Sequence, residues 1–387
     1  MVAMALPTSI SRRELFRRAV VWTATATPAV LASTAIAAEI DPRERAAMTR
    51  LAENFRSQFG VPALSIAVAF RGRLLYEDAF GMADSAAGDR ATPSHRFRIA
   101  SVSKPITAST IMDLVELGKL KLDARVFGRG GVLGDDYKRG AYKPYVEDVT
   151  VDHFLTHTSG GWPNDGTDPM FHQPAMDRSE LIAWALDALP PSSAPGTSYA
   201  YSNFGYCVLG RVVERVTGTS YADHVGRRIL SRCGARDMAI AGNSQAERLP
   251  GEVRYYGQGG ENPYVMNVRR MDSHGGWVAS ARDLVAFVTH VDGLTPNILR
   301  SDTISRMVTP SAANGNYARG WSVNHLNNWW HTGSLPGTQS ILVRTASGFG
   351  WAALANTRRR GSPDMGLALD NLIWDMVRQV TDWSALR

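Results

Sequence analysis

Ser101-Val102-Ser103-Lys104 constrains this chain more than any other stretch. It opens an apolar pattern (Ile106, Ile111, Leu114, Val115, Leu117) that recurs at helical spacing and stops at Gly118. Residues three apart on a helix share a face, so Ser101 and Lys104 are expected to point into the same space at its first turn. A serine hydroxyl is a weak nucleophile that needs a base, and a desolvated lysine amine can be that base. The helix start adds free N–H groups suited to a developing oxyanion. A serine cap beside a surface lysine would read the same way. The chain has only five lysines, however, so a serine three places ahead of one is expected by chance well under once at ordinary composition.

Around this stretch the sequence organises into segments. Pro42 to Phe59 carries the stripe Met48, Leu51, Ala52, Phe55 and reads as a helix. Residues 62–70 and 73–80 flank Arg71-Gly72-Arg73 and read as a hairpin. Helices are expected at Ser179 to Leu189, after Asn203 over the stripe Tyr206, Val208, Leu209, Val212, Val213 and Val216 that ends at Gly218, from Ser220 to Leu230, and after the capping-box-like Ser280 to Asp283. Thr150 to Leu155 reads as a short capped helix. Residues 162–177, with three prolines, read as a loop that is either a functional rim or a surface excursion. Near the C-terminus four apolar runs (320–325, 329–332, 340–344, 349–356) precede a helix over 365–380. The expected architecture is α+β: an antiparallel sheet with flanking helices, built from 38–104 and 270–387, and an α-helical insertion over 105–269. Clefts at such junctions are favoured ligand sites.

Residues 1–37 read as an export signal. Ser11-Arg12-Arg13-Glu14-Leu15-Phe16-Arg17 has a twin-arginine pattern, and a modestly apolar run ends at Ala35-Ile36-Ala37, an A-x-A cleavage signal. This predicts a periplasmic or secreted protein with no stable membrane insertion. The formal net charge is +6, half of it from Arg12, Arg13, Arg17 and Arg18 against Glu14. The remainder is too mild to argue for nucleic acid. Cys207 and Cys233 make no disulfide framework and are expected as buried free thiols, with pairing open if the protein is exported. No metal-ligand spacing appears among the nine histidines.

Three ordered motifs then stand out: Ser101-x-x-Lys104, Tyr201-Ser202-Asn203 and His331-Thr332-Gly333. In that order the chain resembles the serine β-lactamase and penicillin-binding-protein superfamily, and within it the class C, family VIII carboxylesterase and D-aminopeptidase branch. Leu155 to Gly160 and Gly275-Gly276-Trp277 also look familial. The resemblance covers most of residues 45–380. It implies a β-lactamase/transpeptidase-like fold and a serine hydrolase acting on an ester or amide, the β-lactam amide included, through an acyl-enzyme on Ser101. Catalytic roles fall to Ser101, Lys104 and Tyr201. Either Tyr201 as phenolate or neutral Lys104 is the base, and the two titrate as a coupled pair. Substrate binding falls to Asn203, His331, Thr332 and Gly333, and the oxyanion hole to the backbone N–H groups of Ser101 and Ser334. No metal or organic cofactor is implied, and the partner is a small-molecule ester or amide or a peptide.

One residue departs from that pattern. The third motif usually begins with lysine, whose ammonium attracts a substrate carboxylate. His331 is mostly neutral near pH 7. This tilts the expectation toward an esterase or D-amino-acid amidase, with Arg269 or Arg270 as a possible source of charge for carboxylate substrates. The alternatives are a β-lactamase proper and a penicillin-recognising sensor that deacylates slowly. His157 is expected to be structural, and Trp277, Trp321, Trp329 and Trp330 to line core and cleft.

Overall fold

A computed structural model describes residues 39–294 and 297–386. The expected export signal lies outside the described residues.

A seven-stranded antiparallel sheet is the frame. Its strands are β1 (Ala63–Phe70), β2 (Arg73–Asp84), β3 (Asp89–Arg90), β7 (Ser322–Val323), β8 (Trp329–Leu335), β9 (Thr338–Arg344) and β10 (Phe349–Ala355), in spatial order β3-β2-β1-β10-β9-β8-β7. The centre pairs the two ends of the chain, with Leu64 opposite Ala355 and Phe70 opposite Phe349. Both faces of β1 are covered, so it reads as an unbroken apolar run rather than an alternation. Its larger residues, Leu64, Ile66 and Val68, join α1 (Pro42–Phe59) and the terminal helix α11 (Met365–Val377) in one core. Ala63, Ala67 and Ala69 face the other way, where their small side chains admit α9 (Ala281–Thr289) through Leu284, Phe287 and Val288.

This second core runs on without a break from the sheet into the helices α2 (Ser103–Glu116), α3 (Val151–Leu155), α5 (Arg178–Ala188), α6 (Asn203–Thr217) and α7 (Tyr221–Val225). Helix α2 is buried all round from Ser103 to Leu114, which makes it the central pillar. Two hydrogen bonds tie it to its neighbours, Thr107 Oγ1 to Ser273 O (2.6 Å) and Thr107 Oγ1 with Tyr221 Oη (2.6 Å), and Trp277 Nε1 donates in turn to Tyr221 Oη (3.2 Å).

The expected hairpin, C-terminal strands and long helices form close to their predicted limits. The helical expectation for 105–265 is only partly met. Residues 117–150 hold one turn of 3-10 helix, Val146–Asp148, and are otherwise irregular. Gly118, Gly128, Gly130 and Gly134 sit at positive φ, where helix does not continue. Helix α7 loosens into a π-type turn over Gly226–Leu230 instead of running straight on. Several elements have no firm counterpart in the sequence reading, which makes residues 90–100, where β4 forms, a loop or short strand. They are α4 (Pro169–His172), α8 (Asp272–Gly275), α10 (Ser301–Val308), and a small sheet of β4 (Phe97–Arg98), β5 (Ala239–Ile240) and β6 (Trp277–Ala279). Strands of two or three residues carry no period to detect. Cys207 and Cys233 are buried free thiols, and their burial pushes the thiols up to about 11 and 12. No helix among the described residues is long and apolar enough to cross a membrane.

Candidate active site

Ser101 sits in a single turn of 3-10 helix, Ala100–Val102, that runs straight into α2. The expected geometry on one α-helical turn is therefore slightly tightened. Ala100 enters this turn at φ 47°, a left-handed conformation costly for a residue with a Cβ. The strain falls immediately before the candidate nucleophile.

Lys104 lies one turn on and is fully buried. Its Nζ donates to Asn203 Oδ1 (2.7 Å) and the His274 carbonyl (3.0 Å) and lies 3.0 Å from Ser101 Oγ, which as a hydroxyl can donate to the neutral amine. Burial holds the amine well below the ordinary lysine range, with the charge of Asp168 pulling the other way. A lysine so placed is driven toward the neutral amine, the form that can accept a proton.

Asn203 opens α6, which Ser202 caps by accepting from Gly205 N (3.1 Å). With its oxygen on Lys104, its Nδ2 donates to Asp168 Oδ2 (2.8 Å) and Asn164 Oδ1 (3.1 Å). Tyr201 precedes the cap. Its ring centroid is 4.7 Å from Lys104 Nζ and 4.3 Å from the His157 ring. Burial pushes its phenol far up, while a hydrogen bond with Ser101 acts to lower it. Both members of the pair are therefore driven toward their neutral forms. Of the two microstates left open by the sequence, neutral Lys104 beside neutral Tyr201 is the one these surroundings favour.

Strand β8 supplies the opposite wall. Strand β7 covers only Trp329 and Trp330, so the edge from His331 to Leu335 is left to face the Ser101 turn. Alternation exposes Thr332 and Ser334 and buries His331, Gly333 and Leu335. A Cβ on Gly333 would lie 2.2 Å from Ile99 O and 3.1 Å from Ser101 N, so only glycine lets the strand approach this closely.

His331 is brought to the site but is not offered to a substrate. Its Nδ1 donates to Thr332 O (2.7 Å), leaving Nε2 to accept from Tyr317 Oη (3.2 Å). Burial, followed by the nearby Lys104, lowers its pKa to about 3. The ring is held as a neutral group in the wall beside the site. The arginines expected as alternative charges are also engaged. Arg270 donates to the carbonyls of Gln173 (2.5 Å), Met176 (2.6 Å) and Met170 (2.9 Å), and Arg269 pairs with Glu247 (3.1 Å). His157 Nδ1 accepts from Ser202 N (3.0 Å) and the ring is held neutral by burial, so it fixes the Tyr201 loop.

Four contributors escaped the sequence reading: Asn164, Asp168, the His274 carbonyl and Arg358. Asp168-Pro169 carried a helix-start signal inside the loop at 162–177. Asp168 caps α4 by accepting from Met170 N (2.9 Å). Arg358 clasps Glu261 (2.5 and 2.8 Å) and donates to Ser334 Oγ (3.3 Å). Beside Ser334 opens a cleft of about 840 Å³, lined by Met170, Phe171, Val265, Met266 and Leu335 among others. Among the described residues no group of three His, Cys, Asp or Glu is placed to hold a metal ion.

Comparison with known proteins agrees with this arrangement. Residues 48–372 match the Beta-lactamase family model. An esterase, EstB, from Burkholderia gladioli is 36% identical over 197 residues, 47% of this chain and 47% of the esterase, so the match spans about half that relative's length. Penicillin-binding protein 4 of Amycolatopsis lactamdurans is 27% identical over 78% of this chain and 82% of its own. Among solved structures, D-amino acid amidase from Ochrobactrum anthropi SV3 superposes with TM-score 0.71 at 21% identity, covering 87% of this chain and 98% of the amidase. A penicillin-binding-protein homologue from Pyrococcus abyssi gives 0.69 at 23%, covering 87% and 79%. These structural likenesses speak to the fold alone, which is β-lactamase/transpeptidase-like, and with the family match over most of its length the chain belongs to the Beta-lactamase family.

Proposed function

We propose that the protein is a serine hydrolase that cleaves an ester or amide through an acyl-enzyme on Ser101. The observation that carries this reading is the 3.0 Å contact between Ser101 Oγ and a fully buried lysine whose surroundings oppose its charge. Neutral Lys104 takes the Ser101 proton as Oγ attacks the acyl carbon. The backbone N–H groups of Ser101 and Ser334 receive the oxyanion. Tyr201 gives its proton to the leaving alcohol or amine and recovers one from the Lys104 ammonium. Water then attacks the acyl-enzyme, with the same pair taking its proton and returning one to Ser101.

The cleft beside Ser334 suits a substrate with a bulky apolar group. The cations near it are occupied: Arg270 by three carbonyls and Arg358 and Arg360 by Glu261. With His331 neutral, a free carboxylate gains little there, which favours neutral esters and amides over penicillin-like acids. A slow-deacylating penicillin-binding role is the second reading, favoured by the relative from Amycolatopsis lactamdurans. We assign residues 1–37 as a twin-arginine export signal and the mature protein to the periplasm or exterior. Recovery of secreted protein beginning at residue 38 would support this, and uncleaved cytoplasmic protein would count against it.

The test is a time course with a chromogenic short-chain ester beside the Ser101→Ala variant. Turnover many times the enzyme concentration, absent from the variant, is expected. A single stoichiometric burst points to the binding reading. Undiminished turnover or serine-probe labelling in Ser101→Ala would sink the nucleophile assignment.

A further inference from the structure

The site's hydrogen bonds form one continuous chain. Ser101 Oγ meets Lys104 Nζ at 3.0 Å, Nζ meets Asn203 Oδ1 at 2.7 Å, and Asn203 Nδ2 meets Asp168 Oδ2 at 2.8 Å. Asp168 is fully buried. A carboxylate in such a place needs compensation. Its hydrogen-bond partners are neutral donors: the Asn203 amide on Oδ2 and the Met170 N–H on Oδ1.

We infer that Asp168 is a positioning residue for the hydrolytic step: through Asn203 it fixes the orientation of the Lys104 amine and supplies the counter-charge for the ammonium formed when Ser101 gives up its proton. Two consequences follow from the geometry. First, the Asn203 amide can take only one orientation. A flip would set its NH2 against Lys104 and its oxygen against a carboxylate. Lys104 thus always meets an acceptor on that side, and its lone pair is left to Ser101. Second, the negative charge lies one amide away from the developing positive one. In a buried setting such a charge acts more strongly than in water.

Other titratable and charged groups face this corner. They are His274 and Arg270 from the segment before β6, His157 from the loop after α3, His331 from β8, and Asp165 from the loop leading to α4. The three histidines are held neutral by burial, and Arg270 is bound by backbone carbonyls. Asp165 is exposed at the surface and held by Thr167. Asp168 is the carboxylate whose field raises the proton affinity of Lys104. Burial in turn raises Asp168 to about 6, in keeping with a pair that shares its charge across the amide.

This inference rests on the lysine-assisted hydrolysis proposed above, and its failure can be told apart from failure of that reading. A Ser101→Ala protein that still turns over sinks the hydrolase assignment. Asp168 is tested within an active enzyme by the pH profile of kcat/KM. Asp168→Asn removes the charge and keeps the size. The acid limb, which reports loss of neutral Lys104, is expected to move to lower pH by about one unit. The plateau should fall about tenfold, since one unit of proton affinity is a factor of ten in ammonium stability. A purely structural role would lower the plateau and leave the limb in place, and that result overturns the inference. Should Asp168→Asn not fold, Asp168→Ser, which keeps an acceptor for the Met170 N–H, is read by the same two criteria.

Discussion

Tyr201 shows what a single side chain contributes at this site. Its ring packs against His157 and lies beside Lys104. Tyr201→Phe keeps the packing and removes only the proton that would pass to the leaving group. Turnover is expected to fall on the order of 10²–10⁴-fold, with unfolding temperature and substrate binding little changed. Near-normal turnover would remove Tyr201 from the proton path. His331 is the converse case. The expected third motif begins with a cation where His331 stands, but both nitrogens of this ring are used inside the wall. Tyr317→Phe would leave Nε2 without its donor, costing about 1 kcal/mol of stability. No new limb should appear in the pH profile above pH 5, because His331, lowered to about 3 chiefly by burial, is already neutral there. A new limb near pH 6 would mean that the ring titrates in the working site.

At the scale of elements, the site is a seam between the start of α2, the start of α6 and one strand edge. Gly333 is the tightest stitch in that seam. Gly333→Ala would drive a methyl into Ile99 O and Ser340 Oγ, 2.2 and 2.3 Å away, and push β8 from the Ser101 turn. A displacement of about an ångström at a reacting centre costs on the order of 100-fold in rate. Labelling of Ser101 by a fluorophosphonate should slow accordingly, and an unchanged labelling rate would mean the strand edge does not form part of the site. The parts of the site legible in the sequence are those carried by such element starts. Ser101 and Lys104 were readable from one-turn spacing, and Asn203 from the Tyr201-Ser202-Asn203 motif that the family resemblance singled out. Asp168 and Asn164 were not, because they reach the site from an irregular loop whose path no periodicity records. The His274 carbonyl is a backbone group and leaves no mark in residue type. Likewise the sheet's long strands announced themselves by apolar runs and the small sheet β4-β6-β5 did not, since pairing of two-residue strands is decided by tertiary contacts.

For the whole molecule, the buried titratable groups set an acid limit on stability. His157 and His274 are held well below the ordinary histidine range and His331 is lowered to about 3, in each case first by burial. The folded state keeps them neutral while the unfolded chain binds protons below about 6.5. Their contribution is therefore complete above that pH and lost as pH falls through it, by about 1.4 kcal/mol per unit for each ring. Asp168, raised to about 6, works in the opposite sense and returns part of this below pH 6. The midpoint of denaturant unfolding should fall measurably between pH 7 and 5.5, and a flat midpoint would contradict the neutral burial of the three rings. The pairing of β1 with β10 has another consequence, one of timing. While the chain is being made, the partner of β1 emerges about 280 residues later, on the order of 15–60 s at typical synthesis rates of roughly 5–20 residues per second. Through that interval the apolar strand Ala63–Phe70 has the hairpin partner β2 on one edge and an open edge on the other. A ribosome-bound chain that has not yet released β8 to β10 has neither the closed sheet nor the wall opposite Ser101, so hydrolytic competence can appear only after those strands have emerged.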